Sequence, residues 1–173
     1  MVTYAGSQSG PKRIALLLLT TVIGTAGCGS SVGPTDPGGA AHATEVEFEL
    51  LQLANRERRT SGSGQDLVAD ERLSQVARAY SEEMRDHGFL SHVGPDGSTL
   101  RQRLEVVGIA FSRAGENIAQ VTHDSDPASF AHDLLMSSQR HRANILDPHF
   151  RYVGIGVART GETFWITQVF IAP

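Results

Sequence analysis

The sequence predicts an α+β domain, a three-layer α-β-α sandwich around a central, mainly antiparallel sheet. Three observations point there. Helical periodicity comes first along the chain, alternating strand patterns concentrate late, and the last two strands read as a hairpin. Helices on both faces of such a sheet would supply the three layers. The 173 residues, 40% hydrophobic and 20% charged, suffice for one core without metal or disulfide staples. The net charge is -4 and Lys12 is the only lysine. No basic run occurs in the folded part, which argues against a nucleic-acid partner.

The first element is a leader. Lys12 and Arg13 form a short positive region, and Ile14 to Ile23 is apolar except for Thr20 and Thr21. That stretch is short for a spanning helix, which needs about 20 residues. Thr25-Ala26-Gly27-Cys28 follows, with small residues suited to signal cleavage. Cys28 falls where a bacterial lipobox places its lipid-accepting thiol, although Thr25 stands where Leu is usual. The chain therefore reads as a lipoprotein cleaved before Cys28, anchored to the membrane through its N-terminal lipid, with plain secretion as the alternative. Removing residues 1–28 takes away Lys12 and Arg13 from 15 basic residues and no acid, leaving 13 basic against 19 acidic and no cysteine. The mature domain is expected to rely on packing alone. Residues 29–43, rich in Gly, Ser, Pro and Ala, read as a flexible tether.

The folded domain, 44–173, is expected to open with a helix. Thr44 and Glu47 have capping-box spacing, and Val46, Leu50 and Leu53 follow at helical intervals until Ser61-Gly62-Ser63-Gly64. A second helix starts near Asp70, with the stripe Leu73, Val76, Ala77, Tyr80 and Met84, and stops at Gly88. Gly94-Pro95-Asp96-Gly97 is a turn. A third helix, about 98–107, turns Leu100, Leu104 and Val107 inward. Gly115-Glu116-Asn117 reads as a loop entering a short strand. Asp126-Pro127 reads as N-cap and first residue of a fourth helix, with Phe130, Leu134 and Leu135 inward and His132 toward solvent. Ser137 to Tyr152 reads as a turn-rich segment between helix and strand. Val153, Ile155 and Val157 then alternate with Gly154 and Gly156, and 164–171 pairs back across Thr160-Gly161-Glu162. Phe164 and Trp165 read as sheet core or edge.

Five motifs in order carry a resemblance: FLSH (Phe89–His92), GENIA (Gly115–Ala119), HRANIL (His141–Leu146), YVGIGVA (Tyr152–Ala158) and WITQVF (Trp165–Phe170). Together they resemble the CAP superfamily of cysteine-rich secretory, venom-antigen and pathogenesis-related proteins, and are most similar to its bacterial SCP-like extracellular branch. The resemblance spans about Thr44 to Pro173. It implies an α-β-α sandwich with a central cleft, lined in many members by two histidines and two acids; several members bind a divalent metal there, often zinc. The first histidine matches His92, the first acid Glu116 and the second histidine His141. The second acid has no match; its place falls near Ser138, and Leu135 replaces a common tryptophan.

Two imidazoles are good zinc ligands, but two alone make a weak site. His92 and His141, with Glu116 as a direct ligand or acting through water, are the candidate metal residues. Without metal, a carboxylate beside two imidazoles would raise their pKa and bind them. Arg140, Arg142 and Asn144 are weaker candidates for ligand binding, and Asn117 and Asn144 suit caps. His87 suits a helix C-terminus. No nucleophile-elbow pattern surrounds Ser91, Ser137 or Ser138, which disfavours a serine hydrolase. Three functions stay open: an envelope module binding a small lipid-like or glycan ligand or a protein, a zinc-dependent peptidase-like hydrolase with Glu116 as base, and a structural lipoprotein with a vestigial cleft.

Overall fold

The computed structural model describes residues 37–122 and 125–173. The expected signal segment, Cys28 and the first part of the tether lie outside the described residues. The elements run α1 (Pro37–Ser61), β1 (Val68–Ala69), α2 (Glu71–His87), α3 (Leu100–Val106), β2 (Arg113–Thr122), α4 (Pro127–Ser137), α5 (Gln139–Leu146), β3 (Tyr152–Thr160) and β4 (Thr163–Ala172). Four strands form one sheet in the order β1-β3-β4-β2. The β3–β4 and β4–β2 pairs are antiparallel and β1 runs parallel to β3, as the mainly antiparallel expectation requires. None of the described helices is long and apolar enough to cross a membrane.

The sheet is covered on both faces, which makes the three layers. One face of the hairpin presents Val153, Ile155, Val157, Phe164, Ile166 and Phe170 to a core shared with α1, α4 and α5. The other presents Val169 and Ile171 to Leu73, Val76 and Ala77 of α2 and Leu104 of α3. Strand alternation places Gly154 and Gly156 on this second face. A Cβ on Gly154 would lie 2.1 Å from the carbonyl carbon of Leu73, and one on Gly156 would lie 2.1 Å from the backbone nitrogen of Arg78. The α2 backbone thus rests directly on β3, and Ser81 adds a hydrogen bond from its hydroxyl to the Gly156 carbonyl at 2.9 Å.

The start and stop signals of α2 are as read. Asp70 accepts from the Leu73 N–H, and Gly88 closes the helix in the left-handed region at φ 64°. All five residues of the α2 stripe are buried. Thr99 caps α3 in a capping box with Gln102. Asp126 caps α4 with Pro127 at its start.

Several expectations are corrected. Helix α1 begins at Pro37, so residues 37–43 of the expected tether are helical and Thr44 is inside the helix. Glu47 is not a helix cap. Its buried carboxylate accepts from Nε and Nη2 of Arg78 and from the backbone N–H of Val157 at 3.0 Å. Strand β1 covers only Tyr152 and Val153 of β3, so Glu47 takes the place of a neighbouring strand further along that edge. Val107 is 43% exposed because α3 ends one residue earlier. Gly115-Glu116-Asn117 lies inside the ten-residue β2, where pairing with β4 overrides the turn-like composition. Half of the expected turn-rich segment, Gln139–Leu146, is helix α5. The inner face of α4 is Ala128, Ala131, His132 and Leu135, while Phe130 and Leu134 are exposed. The spacing i, i+3, i+4, i+7 fits both the observed face and a helix; side-chain bulk misled the reading toward Phe130. Small alanines let α4 pack closely, and His132 is buried with them.

Arg58, on the inner face of α1, is fully buried. It donates to the carbonyls of Gln65, Ile145, Asp147 and Phe150. Two of these acceptors close the C-terminal end of α5, where free carbonyls gather partial negative charge. Burial pulls the Arg58 guanidinium below its ordinary range, with Asp147 and Asp66 opposing. The positions of α5 and of the loop behind it are tied to α1 through this one side chain.

Candidate functional site

Strand β2 is the terminal strand of the sheet, and alternation points neighbouring side chains to opposite faces. Glu116 turns toward α2 and α3, Asn117 toward α5. The loop after α2 brings His92 to Glu116. That loop is held by the Tyr80 hydroxyl, which donates to the Ser91 carbonyl at 2.6 Å, and by the Ser91 hydroxyl, which accepts from the Val93 N–H. Burial pushes the Tyr80 phenol up to about 12, so it remains a donor at neutral pH.

His92 Nδ1 lies 2.8 Å from Glu116 Oε1. A carboxylate only accepts, so Nδ1 carries the proton and Nε2 of the neutral ring keeps its lone pair. The second Glu116 oxygen accepts from Nη2 of Arg103, and Arg103 also reaches the Ser98 carbonyl at 3.2 Å. The Glu116 side chain is 5% exposed and that of His92 53%. The carboxylate is therefore buried between a cation and an imidazole, with the imidazole at the surface.

His141 comes from α5. Its ring centroid is 6.4 Å from that of His92, with the planes inclined at 53°. Two imidazoles bound to one zinc at about 2.0–2.1 Å have centroids roughly 5–6 Å apart, so the observed pair is slightly wider than a closed site. The expectation of a raised pKa fails at His141. Burial lowers it, and the nearby His92 ring lowers it further. Asn144 does not line the cleft as a free polar group. Its Nδ2 donates to the Asn117 side chain at 2.9 Å and the Glu116 carbonyl at 3.2 Å. Asn117 is fully buried and donates to the His141 carbonyl and to Gln168 Oε1, both at 3.1 Å. These amides brace α5 against β2 and so fix where His141 stands; neither is a helix cap.

Arg140 and Arg142 are exposed and join no ion pair among the described residues. Ser138, at the place of the missing acid, is the N-cap residue of α5 and makes no capping hydrogen bond with its side chain. No group of three or more His, Cys, Asp or Glu that could hold a metal occurs among the described residues. The donor set is two imidazoles, with Glu116 as the partner that orients one of them.

Beside His92 and Glu116 lies a cavity of about 410 Å³, walled by Val93, Leu100, Phe111 and Ala114. Arg101 sits over Phe111, 5.1 Å from the ring centroid, at its rim. Such a volume falls within the usual range for small-molecule sites.

Arg103 and Tyr80 were missed as site residues. A signal existed for Arg103: it lies on the same stripe as Leu100 and Leu104, and a charged residue on an inward face needs a buried partner.

Comparison with known proteins places these features. The model of the cysteine-rich secretory protein family, CAP, matches residues 51–170. The chain is 36% identical over 125 residues to the uncharacterized protein YkwD of Bacillus subtilis (strain 168), covering 72% of this chain and 46% of that protein. It is 34% identical over 128 residues to the uncharacterized membrane protein YlbC of the same organism, covering 74% and 35%. Among solved structures, an extracellular protein containing a SCP domain from Bacillus anthracis str. Ames superposes with a TM-score of 0.71 at 29% identity, covering 82% of this chain and 45% of that one. The chain spans less than half the length of each of these three proteins.

Proposed function

Because the chain belongs to the CAP family of cysteine-rich secretory proteins, in its bacterial SCP-like branch, we propose that it is an exported, lipid-anchored binding module of the cell envelope. Its cleft holds a small lipid-like ligand, with the apolar body against Val93, Leu100 and Phe111 and the polar end at His92 and His141. The observation that carries this reading is the cavity lined by His92 and Glu116 together with apolar side chains, with the His141 ring 6.4 Å from that of His92.

His92 and His141 would also hold a divalent ion such as zinc, weakly, since two imidazoles are one ligand short of an ordinary protein site. Such an ion would supply a positive charge for an anionic head group. Glu116 orients His92 in either state. A hydrolase reading would ask Glu116 to act as base. Each of its oxygens already accepts a hydrogen bond, from His92 and from Arg103, and taking up a proton would break one of them. Binding is the better use of this arrangement.

Export and anchoring rest on the apolar leader and on Cys28. The words "extracellular" and "membrane" in the descriptions of two relatives agree with this placement.

Membrane fractions of cells expressing the full chain test both halves. The mature protein is expected to begin at Cys28, to carry lipid there and to lose its membrane association in Cys28→Ala. Extraction and mass analysis of the same sample should return an amphiphile that His92→Ala and Phe111→Ala lose. A soluble mature chain starting elsewhere removes the anchor. Unchanged amphiphile content in both cleft variants removes the ligand site.

A further inference from the structure

Helix α4 turns one polar side chain into the core. His132 is 4% exposed, and among the described residues neither of its ring nitrogens has a hydrogen-bond partner. It shares the inner face of α4 with Ala128, Ala131 and Leu135. A neutral imidazole already leaves one donor and one acceptor unmet there; an imidazolium would leave two donors and a charge. Among the described residues, three charged groups act on the ring: Glu57 and Arg56 of α1, and Asp133 of α4 itself. β2 and α5 also pack against α4, and neither contributes a charge to it. Burial outweighs the two acids, so the ring is held neutral below the ordinary imidazole range.

Helix α4 does not end freely. Ser138 is both its C-cap and the N-cap residue of α5, and α5 carries His141 and Asn144. A displacement of α4 therefore reaches one wall of the cleft within a few residues.

We propose that His132 is an acid-sensitive latch: a proton taken from solvent onto its ring unseats α4 from α1 and, through the Ser138 junction, loosens α5. The imidazolium gains by leaving the packed face for Glu57, Asp133 and water. The sign follows from linkage. A group with a depressed pKa in the folded state binds fewer protons folded than unfolded, so its contribution is complete above the unfolded value of about 6.5 and is lost as pH falls below it. Only the effect on ligand retention rests on the cleft reading above; the latch itself is a property of the α1–α4 contact.

The test uses the full chain without added ligand, comparing wild type with His132→Leu and His132→Asn. Between pH 6.5 and 5.5 the unfolding constant of the wild type should rise more than that of either variant, by up to about fivefold. Over the same range, hydrogen-exchange protection should fall in 127–146 before it falls in 71–87. Equal pH dependence in wild type and variants overturns the proposal. So does simultaneous loss of protection in both segments. Should neither variant fold, the wild-type His132 ring resonance decides: titration at the ordinary imidazole value overturns the latch, and titration well below it, together with early exchange of 127–146, supports it.

Discussion

Arg103 sits over the ring of Tyr80, its guanidinium carbon 3.5 Å from the ring centroid, and the same guanidinium grips Glu116. Tyr80 in turn holds the loop that carries His92, and His92 bonds to Glu116. The four side chains close a ring of contacts between α2, α3, β2 and the His92 loop. The candidate cleft is thus built as part of the packing of α2 and α3 on the sheet.

Breaking that ring at the cation should be costly. Arg103→Met leaves the Glu116 carboxylate, 5% exposed, without its counter-ion, and unpaired buried charges of this kind cost about 3–5 kcal/mol. Tyr80→Phe keeps the face under Arg103 and loses one hydrogen bond, about 1 kcal/mol. Urea unfolding at pH 7 measures both. A larger loss for Tyr80→Phe than for Arg103→Met would show that the hydroxyl, and not the ion pair, holds the site.

The seat of α2 on β3 makes a sharper case. Alanine at Gly154 or Gly156 would place a methyl carbon 2.1 Å from helix backbone, and backbone cannot rotate away as a side chain can. Each substitution should cost about 3 kcal/mol or more, at or above the upper end of ordinary overpacking. Gly161, in the β3–β4 turn, has nothing within 4 Å but a φ of 59°, so Gly161→Ala should cost less, about 1 kcal/mol. Equal losses at Gly154 and Gly161 would contradict the close approach.

Much of this was legible in the chain. The α2 stripe and its caps, the Val-Gly alternation of β3 and the closing hairpin follow from local periodicity, which the folded state obeys. His92, Glu116 and His141 were legible only through the ordered motifs, since nothing local says that residues 49 positions apart in sequence meet. The inward polar residues that were misread or passed over share a cause. Glu47, Arg58, Arg103 and His132 all lie on inward helical faces, where a polar residue is justified only by a partner or a neighbour distant in sequence. Glu47 finds Arg78 and Val157, Arg58 finds three carbonyls at the end of α5 and beyond, Arg103 finds Glu116, and His132 finds no hydrogen bond among the described residues. A polar residue on an apolar stripe announces a tertiary contact without naming the other side.

Arg58 permits a test at a distance from the cleft. Removing its guanidinium in Arg58→Met takes the donor from the carbonyls of Ile145 and Phe150, each costing about 1–3 kcal/mol when left unpaired in the interior, and leaves the Asp147 carbonyl with only the Phe150 N–H. A total loss of at least about 3 kcal/mol is expected, with exchange accelerated first in 139–150. Reductant should leave the melting of a chain starting at residue 29 unchanged, because no cysteine follows Cys28. A destabilisation confined to α1 would mean that Arg58 does not anchor α5.

Zinc binding offers a prediction in which the two histidines and the glutamate separate. Only neutral imidazoles bind the ion, so protons compete and affinity falls with pH. Burial keeps His141 neutral to lower pH than an ordinary histidine, so its share of the binding should persist below about 6.5. Titration by calorimetry of the full chain should therefore show weak affinity at pH 7.5 that declines as pH falls, with no recovery on the acid side. His92→Ala and His141→Ala should each abolish binding while the fold survives, since His92 is half exposed and His141 only partly buried. Glu116→Gln should weaken it by about 10–100-fold, because the partner that orients His92 changes while both imidazoles stay. Loss in Glu116→Gln as complete as in the histidine variants would instead make the carboxylate a direct ligand, and would require Glu116 to leave either His92 or Arg103 when the ion binds.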